Sequence, residues 1–545
     1  MGYAVTAAGV TALPETAQTV ADAAADLVVD LEREPAGRVS ASVYETGRLV
    51  ADAPWLGGHG RRLTYLLGEQ GPDGAWGLPG GYGLVPTASA VEAMVTVLGR
   101  DEPADLTGPP RSTLEAAAAR GLTALARGLG AGAPLPDTPA ADLIVPALTG
   151  RIDTHLARLR DRDTPTLLAT HPLPRVDRRR LDAVSALLAT DRPMPRKLWH
   201  AYEVLGPNAA TRDEVGPVDG AVGASPAATA RWLNHRRTPD RAARAYLDEV
   251  VARYEGPVPC CTPITVFERS WTLGTLIRAG VPVRPSPALV AGLVAALGPD
   301  GAATGPGLPA DADTTSATLY ALARLGRPVD PASLFRYDLG SHFCTWRGED
   351  GDSVTTNAHV LEALGWHARH TREGANRYGA RVAALGGWLR EVQQPDGHWT
   401  DRWHASPYYA TSCAALALAG HAPPEVAAEA VDRAVGWVLA TQRDDGGWGR
   451  WSTTTEETAY AVHVLLGAGG RRRPEAVAAA GLALPHLQVG VTTDPPLWHD
   501  KDLYTPLLVV RAAVLAARRL ALTEGAARRG GKGPAAPHQG MITSA

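Results

Sequence analysis

Apolar residues recur at helical spacing over Leu114–Leu129, Ala242–Ala252 and Val426–Leu439, the i, i+3, i+4 pattern of helices that bury one face. A further run, Ser316–Leu325, follows a Gly/Pro-rich loop and predicts another helix. Runs with strand-like alternation are few. The chain is therefore expected to be all-α.

The helix-like segments are joined by a repeating turn. Gln70-Gly-Pro-Asp73-Gly74-Ala-Trp76, Gln393-Gln-Pro-Asp396-Gly397-His-Trp399 and Gln442-Arg-Asp-Asp445-Gly446-Gly-Trp448 all fit Q-x-x-D-G-x-W, and Asp219-Gly220-Ala221-Val222-Gly223 is a degenerate copy without Gln and Trp. Repetition of this kind predicts stacked helical units. Glycine permits a sharp turn, Gln and Asp tie it to a neighbouring helix end, and Trp covers the joint. These turns are expected to carry packing and no chemistry.

Composition narrows the class. At 545 residues the chain exceeds one core, and its 45% hydrophobic and 20% charged content is that of a globular protein. A net charge of −4 offers no basic footprint for nucleic acid. Four cysteines (Cys260, Cys261, Cys344, Cys413) form no C-x-x-C zinc pattern, which suits a reduced cytoplasmic protein. Met1–Leu13 lacks a signal-like basic start and apolar core, and no 18-residue apolar span occurs, so neither secretion nor membrane spanning is expected. Residues 523–545, rich in Gly, Pro, Ala and basic side chains, read as a disordered tail.

The candidate chemistry lies in Asp311-Ala312-Asp313-Thr314-Thr315. A carboxyl group protonates an alkene only if burial and a like-charged neighbour keep it neutral, and two aspartates at i and i+2 supply that neighbour. The bland reading makes Asp311 an N-cap. The aromatic balance adds a second hint, since 14 Trp and 14 Tyr stand against three Phe. Their π faces can stabilise carbocations.

Together the Asp311–Thr315 motif, the three turns, Ser42-Val-Tyr-Glu-Thr46 and Ser225-Pro226-Ala-Ala-Thr229 resemble the class II terpene cyclases, above all the bacterial stand-alone cyclases that make bicyclic prenyl diphosphates. The resemblance extends from about Ser40 to Ala517. It implies a βγ pair of α-barrels with the active site in the cleft between them: 1–50 would be an N-terminal segment of β, 51–264 the γ domain, and 265–522 the remainder of β with the acid motif. It also implies protonation of a linear prenyl diphosphate, two ring closures and loss of a proton, with the diphosphate retained.

Carried over by position, the resemblance makes Asp313 the acid, Asp311 and Thr314 the residues that hold or polarise it, and His359 its partner from a neighbouring helix. Thr314 stands where the family usually has Asp, a variant found in some bacterial members. Mg²⁺ is the expected cofactor, with Asp142 in Asp137-Thr-Pro-Ala-Ala-Asp142 the acidic rim position, and Lys197, Arg402 and Lys501 are the candidate diphosphate contacts. Asp142 reads almost as well as part of a helix-capping loop, and lone basic residues are usually solvated surface. The base that ends the reaction does not carry over: the His of the plant ent-copalyl enzymes' His/Asn pair matches His200, but its Asn falls near Cys260.

The expected substrate is geranylgeranyl diphosphate, giving a labdane-type product. Farnesyl diphosphate giving a drimane-type product is the near alternative. The class I strings D-D-x-x-D and N-x-x-x-S-x-x-x-E are absent from the sequence, so a separate phosphatase or class I synthase is expected to take the product. Three readings compete: a squalene-hopene-type triterpene cyclase, a protein prenyltransferase β-subunit, which needs a zinc site and an α-subunit, and a non-enzymatic helical barrel in which Asp313 is only a solvated cap.

Overall fold

The computed structural model describes residues 16–100, 108–130, 135–160, 173–487 and 494–529. In chain order the first helices are α1 (Ala17–Arg33), α2 (Val43–Asp52), α3 (His59–Gly68), α4 (Leu84–Leu98), α5 (Arg111–Gly130), α6 (Ala141–Arg160), α7 (Arg179–Leu188), α8 (Pro207–Ala210), α9 (Pro226–Asn234) and α10 (Arg241–Arg253). They continue with α11 (Thr265–Arg278), α12 (Pro287–Ala296), α13 (Ala312–Arg324), α14 (Val354–His370), α15 (Gly374–Glu391), α16 (Pro407–His421), α17 (Pro424–Ala440), α18 (Thr455–Val462), α19 (Pro474–Leu482) and α20 (Leu507–Arg529). Among the described residues the named strands are the two-residue pair β1 (Trp498–His499) and β2 (Leu503–Tyr504).

Helix contacts close two rings. In the second half α11 packs on α13, α13 on α14, α14 on α16, α16 on α18, α18 on α20, and α20 returns to α11. Outside this ring lie α12, α15, α17 and α19, with α1 on α20 and α11. In the first half α2, α4, α6, the 3₁₀ segment Arg196–Val204 and α9 close a smaller ring, with α3, α5, α7 and α10 outside it. Inner helices are buried nearly all round, as α4 is along almost its whole length. The sequence pattern finds outer helices best: the three Ala-rich runs are α5, α10 and α17, each with one buried face.

The repeat turns are the staples they were expected to be. Gln70, Gln393 and Gln442 each donate from Nε2 to their own turn glycine's carbonyl and to a carbonyl of the next outer helix, Ala117 at 2.9 Å, Ala430 at 2.9 Å and Ala479 at 3.0 Å. Trp76, Trp399 and Trp448 are fully buried and donate to Leu66, Leu389 and Val438 at the end of the preceding outer helix. Their backbone N–H groups donate to Thr87, Thr411 and Thr458 of the next inner helix. At Gly397 φ is 108°, and a Cβ there would sit 2.5 Å from the Arg433 carbonyl oxygen, so only glycine fits this close approach.

The chain crosses between the rings at Val39–Ala41, which bridge to Pro506 and Pro259. α1 belongs to the second ring, whereas α2 buries Tyr44 and Val50 in the core of the first. The passage therefore falls ahead of the boundary expected at residue 50. Helix α20 runs to Arg529, past the expected start of the tail at 523; residues 530–545 lie outside the described residues.

Candidate active site

Four inner helices of the second ring start after a turn with a small polar N-cap: Asp311 for α13, Ser353 for α14, Ser406 for α16 and Thr454 for α18. Asp311 is thus a cap in ordinary position, its Oδ1 accepting from Thr314 N–H at 2.5 Å. The turn ahead of it, Asp300-Gly301-Ala302, is another degenerate repeat: Ala302 N–H donates to Thr315 Oγ1 at 2.8 Å, as Trp76 does to Thr87. The acid motif is therefore a modified repeat junction. Asp313 follows in the first turn of α13.

Asp313 Oδ1 lies 2.7 Å from His359 Nδ1, on α14. The Asp313 side chain keeps 16% of its surface and His359 only 7%, so the carboxyl group reaches past a buried imidazole. Burial opposes charge on His359, but the Asp313 carboxylate outweighs it and holds the ring's pKa well above the ordinary range. Asp311 moves the other way: burial, with Asp313 adding, pushes it up to about 8, against the Thr314 N–H. The cap then carries little charge at pH 7 where it stands beside Asp313. The Thr314 hydroxyl does not reach Asp313 as expected. It pairs with Thr304 Oγ1 at 3.2 Å, and Thr314 acts through its backbone on Asp311.

Aromatic side chains line the space beside this dyad. Trp271 meets His359 edge-on at 5.0 Å between ring centroids, Phe267 lies 4.5 Å from Trp271 and 5.5 Å from Trp498, and Tyr409 lies 4.7 Å from Trp498. Their polar tips have fixed partners: Trp271 Nε1–H donates to Tyr409 Oη, and Trp498 Nε1–H and Tyr460 Oη–H both donate to Glu456. This explains the excess of Trp and Tyr over Phe. A buried aromatic with a tethered tip offers a fixed π face, the arrangement that stabilises a passing cation.

The β1–β2 hairpin carries further groups to the boundary between the rings. Lys501 is fully buried, with Nζ 2.7 Å from Glu45, 3.2 Å from Glu203 and 2.9 Å from Ser225 Oγ. The two motifs Ser42–Thr46 and Ser225–Thr229 thus meet around one ammonium, and the placement takes Lys501 out of the expected diphosphate contacts. Next to it His200 donates from Nε2 to Asp500 at 3.0 Å and from Nδ1 to the Gly223 carbonyl at 2.6 Å. Burial alone would lower the His200 pKa, but Asp500 outweighs it and raises it.

A family model for the squalene-hopene cyclase C-terminal domain matches residues 349–484. The ent-copalyl diphosphate synthase of Streptomyces sp. (strain KO-3988) is 44% identical, over 93% of this chain and 98% of that protein. The labda-7,13-dienyl diphosphate synthase of Streptomyces clavuligerus is 40% identical, over 93% and 94%. The structure of ent-copalyl diphosphate synthase from Streptomyces platensis superposes with a TM-score of 0.86 at 44% identity, covering 92% of this chain and 99% of that one. The chain belongs to the class II terpene cyclases. These relatives are named for copalyl and labdadienyl diphosphate formation, and the two rings of the cyclase are the β and γ α-barrels.

At the rim of this cyclase the expected polar groups pair with one another. Arg402 reaches Asp137 at 2.9 Å and Glu349 at 3.5 Å across the two barrels. Arg180, which sequence reasoning did not single out, joins Asp142 at 3.7 Å to Asp350 at 3.1 Å. Asp142, Arg402 and Arg180 therefore share one network, while Lys197 is exposed at the start of the segment carrying His200. Among the described residues no three His, Cys, Asp or Glu side chains are grouped to hold a metal, and no helix is long and apolar enough to cross a membrane.

Proposed function

We propose that this cyclase converts geranylgeranyl diphosphate into a bicyclic labdane-type diphosphate and retains the diphosphate. The observation that carries the reading is the Asp313–His359 pair at the head of α13, opening on the Trp271, Phe267, Tyr409 and Trp498 faces. Its near full-length relatives are named for copalyl and labdadienyl diphosphate formation. The proton that His359 Nδ1 shares with Asp313 passes through the Asp313 carboxyl to the terminal alkene, leaving a carboxylate beside a neutral imidazole; the π electrons of that alkene form the C–H bond, and each following alkene closes a ring on the cation behind it. The aromatic faces lower the energy of the cation without offering it a nucleophile.

At the rim, diphosphate oxygens would replace the carboxylates now held by Arg402 and Arg180. Mg²⁺ commonly takes one or two carboxylates together with substrate phosphates and water, so a lone Asp142 is compatible with that cofactor, which would neutralise the diphosphate. The retained diphosphate leaves the product for an enzyme that ionises or hydrolyses it. Four buried free thiols suit the cytoplasm.

The ring must end by losing a proton. Protonated His200 donates from both nitrogens, so it has no lone pair to offer. Asp500 is the better acceptor: burial raises its pKa, but His200 outweighs this and keeps it a carboxylate. A C–H bond beside the final cation breaks, its electrons form the alkene, and Asp500 or a water it holds takes the proton. Asp500→Asn is expected to divert product to another alkene isomer or a hydroxylated diphosphate, with turnover falling about tenfold or less. An unchanged product profile by mass spectrometry would exclude Asp500.

The direct test is incubation with geranylgeranyl diphosphate, farnesyl diphosphate and squalene in Mg²⁺ buffer, with mass spectrometry before and after phosphatase. A bicyclic C20 alcohol released only by phosphatase is expected. A C15 alcohol alone would move the substrate to farnesyl diphosphate, and a hydrocarbon from squalene would make it a triterpene cyclase.

A further inference from the structure

Glu456 is a buried carboxyl group that the cyclisation steps above use only as a tether. It lies in the first turn of α18 and keeps 4% of its side-chain surface. Three donors converge on its Oε1: Trp498 Nε1–H at 2.7 Å, Tyr460 Oη–H at 2.9 Å and His404 Nε2–H at 3.2 Å. The tautomer of His404 follows from its other nitrogen, since Nδ1 accepts from Ser406 N–H at 3.0 Å and the ring proton therefore sits on Nε2. An oxygen that accepts three hydrogen bonds is that of a carboxylate.

That charge has no fixed counter-charge. Three other buried glutamates each face a cation: Glu92 faces Arg48 at 2.6 Å, Glu362 faces Arg278 at 2.8 Å and Glu45 faces Lys501 at 2.7 Å. Among the described residues, Glu456 has ion-pair geometry only with His404, whose ring is neutral. A buried carboxylate held by neutral donors alone is costly to the fold. Its donors belong to the aromatic wall. The rings of His404 and Trp498 lie 5.1 Å apart, Tyr409 lies 4.6 Å from His404, and Tyr460 lies 5.0 Å from Tyr409. From the acid, the wall runs through Trp271 and Tyr409 to Trp498, two residues before Asp500. Glu456 thus stands at the end of the wall away from Asp313.

We propose that Glu456 is a positioning residue for the second ring closure: its charge, relayed through Trp498, Tyr460 and His404, is the counter-charge of the carbocation once it has moved along the wall. A hydrogen bond from N–H or O–H to a carboxylate pushes electron density into the donor's ring, and a richer ring attracts a cation more strongly. Because three donors occupy Oε1, the carboxylate draws the cation without capturing it as an ester. The inference rests on the cyclisation proposed above and adds a residue to it.

Glu456→Gln keeps an oxygen for the three donors and removes the charge. Two bicyclic diphosphates probe it by calorimetry, one with an ammonium nitrogen where the final cation forms and one with a neutral carbon there. The variant is expected to bind the ammonium compound about tenfold more weakly than the parent does, and the neutral compound within about twofold. With geranylgeranyl diphosphate its kcat should fall about tenfold at a nearly unchanged KM, and phosphatase should release monocyclic alcohols from cations that lose a proton before the second closure. Trp498→Phe keeps a ring and deletes the N–H relay. It should weaken binding of the ammonium compound alone by about threefold, and it carries the test if Glu456→Gln does not fold. Equal losses for both compounds, or an unchanged preference for the ammonium compound, would overturn the proposal and leave Glu456 a tether. Failure of the cyclisation reading is separate, because it shows as no bicyclic diphosphate from the parent enzyme.

Discussion

Asp313→Asn is expected to lower cyclisation of geranylgeranyl diphosphate by about 10³-fold or more, the scale of losing a positioned general acid. The amide keeps the shape of the carboxyl group and can still accept from His359 Nδ1–H, so α13 and its cap stay in place. What it lacks is an O–H acidic enough for an alkene. Its neighbour does not substitute: Asp311 accepts from Thr314 N–H as the helix cap and lies 3% exposed, whereas Asp313 reaches the open space. Asp311→Asn should accordingly keep the cap, since Asn is among the best N-cap residues, and retain far more activity than Asp313→Asn. The measurement is single-turnover product formation with matched circular dichroism. Full activity in the Asp313 variant would remove it from the acid role, and equal losses in both would mean that the motif acts as a structural unit.

Much of this arrangement was legible before the fold was known, and its limits have physical causes. The Q-x-x-D-G-x-W turns were readable because their chemistry is local: one Gln, one Gly and one Trp within seven residues make most of the bonds. The pairing of Asp313 with His359 came from the resemblance, since 46 positions separate them and no spacing rule joins them. The degenerate turn at Asp300–Ala302 escaped because it has lost both Gln and Trp, although its Gly301 and Thr315 keep the junction's geometry. Thr315, 13 residues after Ala302 where Thr87 follows Trp76 by 11, is the signal that would have found it. Periodicity located the outer helices and said little about inner ones, whose burial on all sides erases the polar stripe. Lys501 and Arg402 looked alike as lone basic residues; only the fold distinguishes a charge enclosed by two glutamates from one at the rim.

That distinction has a large energetic consequence. Lys501→Ala would leave Glu45 and Glu203, both fully buried, without their shared counter-charge, and breaking a buried pair from one side typically costs about 3–5 kcal/mol. Burial already pushes Glu45 up to about 7, even with Lys501 drawing it down, so in the variant Glu45 must take up a proton to stay folded. Its stability should therefore fall as pH rises through neutrality, because the raised folded-state pKa of Glu45 makes its ionisation the destabilising event. Lys501→Met with Glu45→Gln and Glu203→Gln removes all three charges and should recover much of the loss, as replacing a whole buried ionic group often does. Thermal and urea unfolding at pH 6 and pH 8 read both effects. If Lys501→Ala unfolds like the parent at both pH values but raises the KM for geranylgeranyl diphosphate, Lys501 is a diphosphate contact and the carboxylate cluster opens to admit substrate. If it unfolds early and the triple variant does not, the cluster fastens the β1–β2 hairpin to the γ barrel, and Asp500 keeps its place in the cleft only while Lys501 is held.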